Sequence, residues 1–66
     1  MKFAERLREL RMAKGLSQMQ LAKELHISQS AIAKWELGKT EPTASAIIAI
    51  ANYFNEPIDY ILGVMD

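Results

Sequence analysis

Apolar residues recur along this chain at intervals of three and four, and short polar breaks divide them into five segments. Phe3, Leu7 and Leu10 form the first stripe, which predicts a helix from about Lys2 to Lys14. Gly15 then offers the left-handed backbone on which helices commonly stop. Ser17 to Gln20 reads as S-x-x-Q, a capping box in which the Ser17 hydroxyl takes the Gln20 amide and the Gln20 side chain reaches back. Leu16 and Leu21 flank the box as a hydrophobic staple, so a second helix starts here and buries Leu21, Ala22 and Leu25. It must end almost at once, because Ser28 is another N-cap, with Ile27 and Ile32 in the staple positions. The third helix runs from Gln29 to about Leu37 and ends on Gly38. The turn-rich Lys39-Thr40-Glu41-Pro42 leads to Thr43, the cap of a fourth helix that buries Ile47, Ile50, Ala51 and Phe54. Pro57, suited to a first helical position, opens a short fifth helix burying Ile58, Ile61 and Leu62 before Gly63.

The fold class is therefore all-α, a compact five-helix bundle, with residues 1–66 expected to form a single domain. A chain this short buries only about 60% of its unfolded surface and has no cysteine to staple it, so its core must be idealised or shared with a partner. Glu5, Arg6, Arg8, Glu9 and Arg11 fall where a signal peptide would need an apolar run. The longest uncharged stretch, between Glu41 and Glu56, is broken by Thr43, Ser45 and Asn52 and is too short to span a bilayer. The formal net charge is zero, but the charges are not mixed evenly. All eight Lys and Arg lie between Lys2 and Lys39, where only Glu5, Glu9, Glu24 and Glu36 oppose them, leaving that stretch at +4. Glu41, Glu56, Asp59 and Asp66 give the remainder −4. One end of the molecule can thus face a polyanion while the other faces away.

Two short helices joined by a tight turn and braced by others make a helix-turn-helix, here over about 17–37. In such a unit the second helix lies in the major groove of DNA. At about 100° per residue, Ser28, Ala31, Ile32 and Trp35 fall on one arc of the third helix and Gln29, Ser30, Ala33, Lys34 and Leu37 on the other. The second arc suits base edges. Gln29 can pair with adenine, Lys34 can donate to guanine, Ser30 can bond either way, and Ala33 admits a thymine methyl. Phosphate contacts are expected from Gln18, at the positive end of the second helix, and from Lys39 and Thr40 after the third.

The pattern resembles the phage-repressor-like helix-turn-helix domains, the lambda repressor, Cro and Xre type. The resemblance rests on Leu7-Arg8 and Arg11 before Gly15-Leu16-Ser17-Gln18, then Leu21-Ala22, Ile27-Ser28, Ile32, Trp35-Glu36, Gly38-Lys39, Pro42 and Asp59-Tyr60-Ile61-Leu62-Gly63. It implies that Gln29, Ser30 and Lys34 read bases and that Gln18 holds the backbone; beside these, Ala33 is expected at the base edges and Ser28, Lys39 and Thr40 on the backbone. It also implies a buried ion pair between Arg11 and Glu36 that holds the third helix against the first. Leu37 departs from the pattern, since that site is often an asparagine bonded to a phosphate, and it offers the backbone an apolar contact instead. His26 stands where the family usually has glycine, and a metal role for this lone histidine is not expected.

Ile48, Tyr60 and Val64 point away from the faces assigned to the core. With Ile58 and Ile61 they make a candidate isologous dimer surface on the fourth and fifth helices, about 44–62 and just beyond, as the resemblance also implies. The expected function is sequence-specific binding to a two-fold symmetric double-stranded DNA operator by a homodimeric transcriptional regulator, a repressor, in a bacterial or phage-encoded cytoplasmic setting, on the nucleoid when bound. No cofactor, metal, small-molecule ligand or membrane partner is expected. One histidine, no cysteine and scattered carboxylates exclude most enzyme chemistry. The alternative is a module of the same fold that binds a partner protein, as an antitoxin-type protein does, with weak DNA binding or none. A phage repressor, an antitoxin and a restriction controller share this pattern, and the sequence does not separate them.

Overall fold

Five helices, α1 (Phe3–Ala13), α2 (Gln18–Leu25), α3 (Gln29–Glu36), α4 (Ala44–Phe54) and α5 (Ile58–Leu62), make up the computed structural model, which describes residues 2–64. Among the described residues there is no strand. Three helices start on the caps that the sequence predicts. Ser17 Oγ accepts from the Gln20 amide at 3.0 Å while Gln20 Oε1 accepts from the Ser17 amide at 2.8 Å. Ser28 and Thr43 accept from the amides of Ala31 and Ala46, each at 3.1 Å. Each cap satisfies an amide that the first helical turn leaves without a partner.

All five helices end on a residue in the left-handed region: Gly15, His26, Gly38, Asn55 and Gly63, with φ between 55° and 73°. The following amide folds back onto a carbonyl of the last turn, as in Ile27 to Ala22 at 2.9 Å and Lys39 to Lys34 at 2.9 Å. These tight endings keep the connections short, so each helix turns directly onto its neighbours.

The centre is built symmetrically from the five helices. Leu7, Leu21, Ile32, Ile50 and Ile61, one from each, have no exposed surface. Phe3, Ala22, Trp35 and Ala51 are buried around them, and the Phe3 and Trp35 rings meet edge to face at 6.2 Å. Truncating any one of the five aliphatic side chains would cost about 2 to 5 kcal/mol, a large share of what a domain this small possesses. Ile47, Phe54, Leu10, Leu16, Leu25 and Ile27 pack on this centre from its edges.

Helix α5 differs from the sequence expectation in three ways. Pro57 lies outside the helix as its N-cap, with ψ at 151°, so the first helical residue is Ile58. Ile58 is 44% exposed, and Leu62 is only half-buried. Ile61, expected both in the core and at the dimer surface, is completely enclosed, in line with the first and against the second. The physical reason is length: five residues present one narrow strip to α1 and α4, and Ile61 fills it. The two ends of the chain are also joined. The Lys2 amide donates to the Leu62 carbonyl at 3.2 Å, and the Arg6 guanidinium lies 4.0 Å over the centre of the Tyr60 ring.

Candidate nucleic-acid interface

Glu36, at the end of α3, organises the unit. Its carboxylate accepts from Arg11 Nε at 2.7 Å and Arg11 Nη2 at 3.0 Å, a two-pronged grip from α1. Arg11 Nη1 donates to the Leu16 carbonyl at 2.7 Å, which fixes the turn into α2. Gln18 Nε2 adds a third donor to Glu36 at 3.1 Å. Four points of the chain, on α1, the first turn, α2 and α3, thereby share one polar junction. The side chains are 12% exposed for Arg11 and 4% for Glu36, so the pair sits largely out of water. The hydrogen bond that Arg11 donates to Glu36 raises its guanidinium above its already high ordinary value, opposed by burial and reinforced by the carboxylate charge. Arg11 therefore stays charged at any working pH.

That junction sets the face α3 presents. Ile32 and Trp35 turn inward and are buried, while Gln29, Ser30 and Lys34 stand exposed and Ala33 is half-buried between them. Leu37 caps the helix end and is 69% exposed. Lys39 and Thr40 continue the exposed surface past Gly38. The Ser28 hydroxyl spends its acceptor on Ala31 and keeps an O–H to donate outward. At the start of α2, Ser17 takes the Gln20 amide, which leaves the Gln18 and Met19 amides aimed outward at the positive end of the helix. Met19 was not singled out from sequence, because a backbone donor has no side-chain signature. The tether from Gln18 to Glu36 was not legible either: it joins residues 18 apart with no local pattern.

On α4, on α5 and just after it, Ile48 is 50%, Ile58 44% and Val64 62% exposed. Tyr60, expected at the dimer surface, is half-buried, and the Arg6 guanidinium covers one face of its ring. Among the described residues no helix is long and apolar enough to cross a membrane.

A family model described as Helix-turn-helix matches residues 7–61. Over 63 residues the chain is 44% identical to the HTH-type transcriptional activator BcrR of Enterococcus faecalis, covering 96% of this chain and 31% of that protein. It is 33% identical over 64 residues to an uncharacterised HTH-type transcriptional regulator, YobD, of Bacillus subtilis, covering 97% of this chain and 57% of that protein. The crystal structure of a transcriptional regulator from Listeria innocua superposes with a TM-score of 0.88 at 33% identity, over 97% of this chain and 60% of that one. The chain thus spans between about a third and three fifths of these proteins. With the junction and the polar face of α3 in place, the chain belongs to the phage-repressor-like, Xre-type helix-turn-helix family of DNA-binding transcriptional regulators, which are not enzymes.

Proposed function

We propose that this chain binds a specific double-stranded DNA operator as a homodimer, placing α3 in the major groove, and represses transcription by occupying the site. The observation that carries this reading is the outward strip of α3, where Gln29, Ser30 and Lys34 stand in solvent while Ile32 and Trp35 are buried. In the groove, Gln29 pairs with adenine, Lys34 donates to guanine, Ser30 bonds a base edge and Ala33 lies against a thymine methyl. The amides of Gln18 and Met19 take a phosphate at the head of α2, with the Gln18 side chain beside them, and Ser28, Lys39 and Thr40 hold the flanking backbone. Such a regulator works in the cytoplasm, where its DNA is.

The two-fold partner is a second copy meeting through Ile48, Ile58 and Val64, with the edge of Tyr60. Acidic Glu56 and Asp59 lie just before and within α5, where Lys2 and Arg6 of the chain start also pack. A unimolecular sedimentation coefficient at micromolar protein, together with a denaturant midpoint independent of concentration, would refute the dimer.

Affinity measured at several salt concentrations for the wild type, Gln29→Ala and Lys39→Ala tests the DNA reading. Gln29→Ala should lose about 1 to 3 kcal/mol of discrimination at one base pair. Lys39→Ala should weaken all sequences alike and lower the log–log salt slope by about 1. A uniform loss for Gln29→Ala removes its reading role, and a folded chain with no DNA affinity supports the protein-interaction alternative.

A further inference from the structure

We infer that Leu37 is a base-reading residue, one that selects thymine through its C5-methyl group, and not a backbone contact. The inference rests on α3 occupying the major groove. Leu37 closes α3 with φ −87° and ψ −6°, and its amide bonds to the Ala33 carbonyl at 3.1 Å, so it continues the helical register. At about 100° per residue it falls about 20° from Ser30, about 40° from Ala33 and about 60° from Lys34. It lies about 140° and 160° from the inward-facing Ile32 and Trp35. Leu37 is thus near the middle of the outward strip, and DNA that reaches Ser30 and Lys34 must also meet it.

A single exposed leucine on a protein surface means little by itself. Place and chemistry set this one apart. It is 69% exposed, the most of any large apolar side chain among the described residues, and the surface around it is polar. It carries no donor or acceptor, so a phosphate pressed against it would lose water without compensation. The thymine methyl is the one apolar group on the base edges of the major groove. Leu37 follows Ser30 by two helical turns, about 10 Å along the axis, so it meets a base edge where α3 lies along the groove and not only end-on. Ala33 shares the strip but is half-buried and short, whereas the Leu37 isobutyl group extends beyond it.

The test uses the whole chain and an operator recovered by selection from random DNA, with each thymine replaced singly by deoxyuridine, which lacks only the methyl. Wild-type affinity should fall about fourfold at one thymine in each half-site besides any that Ala33 contacts, the worth of one buried methyl group. Leu37→Ala, at an exposed site and checked by its unchanged helical spectrum and melting temperature, should still bind the operator but be indifferent to that replacement. Ala33→Gly should retain the sensitivity at that thymine. Three results overturn the inference. One is a wild type insensitive to every replacement. Another is Leu37→Ala keeping full sensitivity, which assigns the methyl to a different residue. The third is Leu37→Ala weakening all sequences alike, which assigns Leu37 to the deoxyribose. In each of these the operator is still bound specifically and the DNA reading stands; failure to recover any operator defeats both.

Discussion

The Arg11 guanidinium grips the Glu36 carboxylate through two hydrogen bonds, 2.7 Å and 3.0 Å long, across 25 residues of sequence. This pair joins α1 to the end of α3, and the third donor, Gln18, ties the head of α2 to the oxygen that accepts from Arg11 Nη2. The start of α2 and the end of α3 are therefore tied to α1 through one polar junction. Taking a charge pair out of water returns little net stability, so orientation is the better account of its presence.

Arg11→Ala or Glu36→Ala alone should cost about 3 to 5 kcal/mol, because each strands the other charge in a largely buried site. Replacing both together, Arg11→Met with Glu36→Leu, should recover most of that loss in urea unfolding. The double variant should nevertheless bind DNA more weakly, because Gln18 has lost its anchor. Normal DNA affinity in a stable double variant would show that the junction does not orient the interface.

Gly63→Ala should destabilise the chain by about 2 to 4 kcal/mol. The residue has φ 73°, and a Cβ there would stand 2.6 Å from Lys2 Cβ and 2.8 Å from the Lys2 nitrogen, which cannot move without breaking its bond to Leu62. Thermal unfolding measures the cost, and faster hydrogen exchange at the Lys2 amide locates it.

His26→Gly should raise stability by about 1 kcal/mol, the left-handed strain relieved less the greater freedom of glycine in the unfolded chain. His26 sits at φ 57° and ψ 42°, exposed and at the turn between α2 and α3. Asn55→Gly, at φ 55°, should gain less because asparagine enters this region more readily. A higher denaturant midpoint with an unchanged slope is the expected result.

What was legible in the sequence was local. Ser17, Ser28 and Thr43 announce helix starts because a hydroxyl reaches an amide three residues on, and Gly15 and Gly38 announce ends by the backbone they permit. The inward Ile32 and Trp35 and the outward Gln29 and Lys34 follow from helical period alone. The Arg11–Glu36 pair came from family resemblance, since two charges 25 residues apart carry no period. Helix α5 was least legible. Five residues make too little of a stripe to tell Ile61 from Ile58, and which one turned inward was decided by packing on α1 and α4. The surroundings of Tyr60 carry no local signal for a related reason: its partner Arg6 lies in α1, remote in sequence.

The most direct test of the central claim is selection of bound sequences from a random pool of double-stranded DNA at near-physiological salt. Specific reading by a dimer predicts enrichment of a two-fold symmetric site whose half-sites lie about one helical turn apart, and its loss in Gln29→Ala at a defined base pair. A folded, helical protein that enriches no sequence would contradict the account and leave α3 as a surface for another protein.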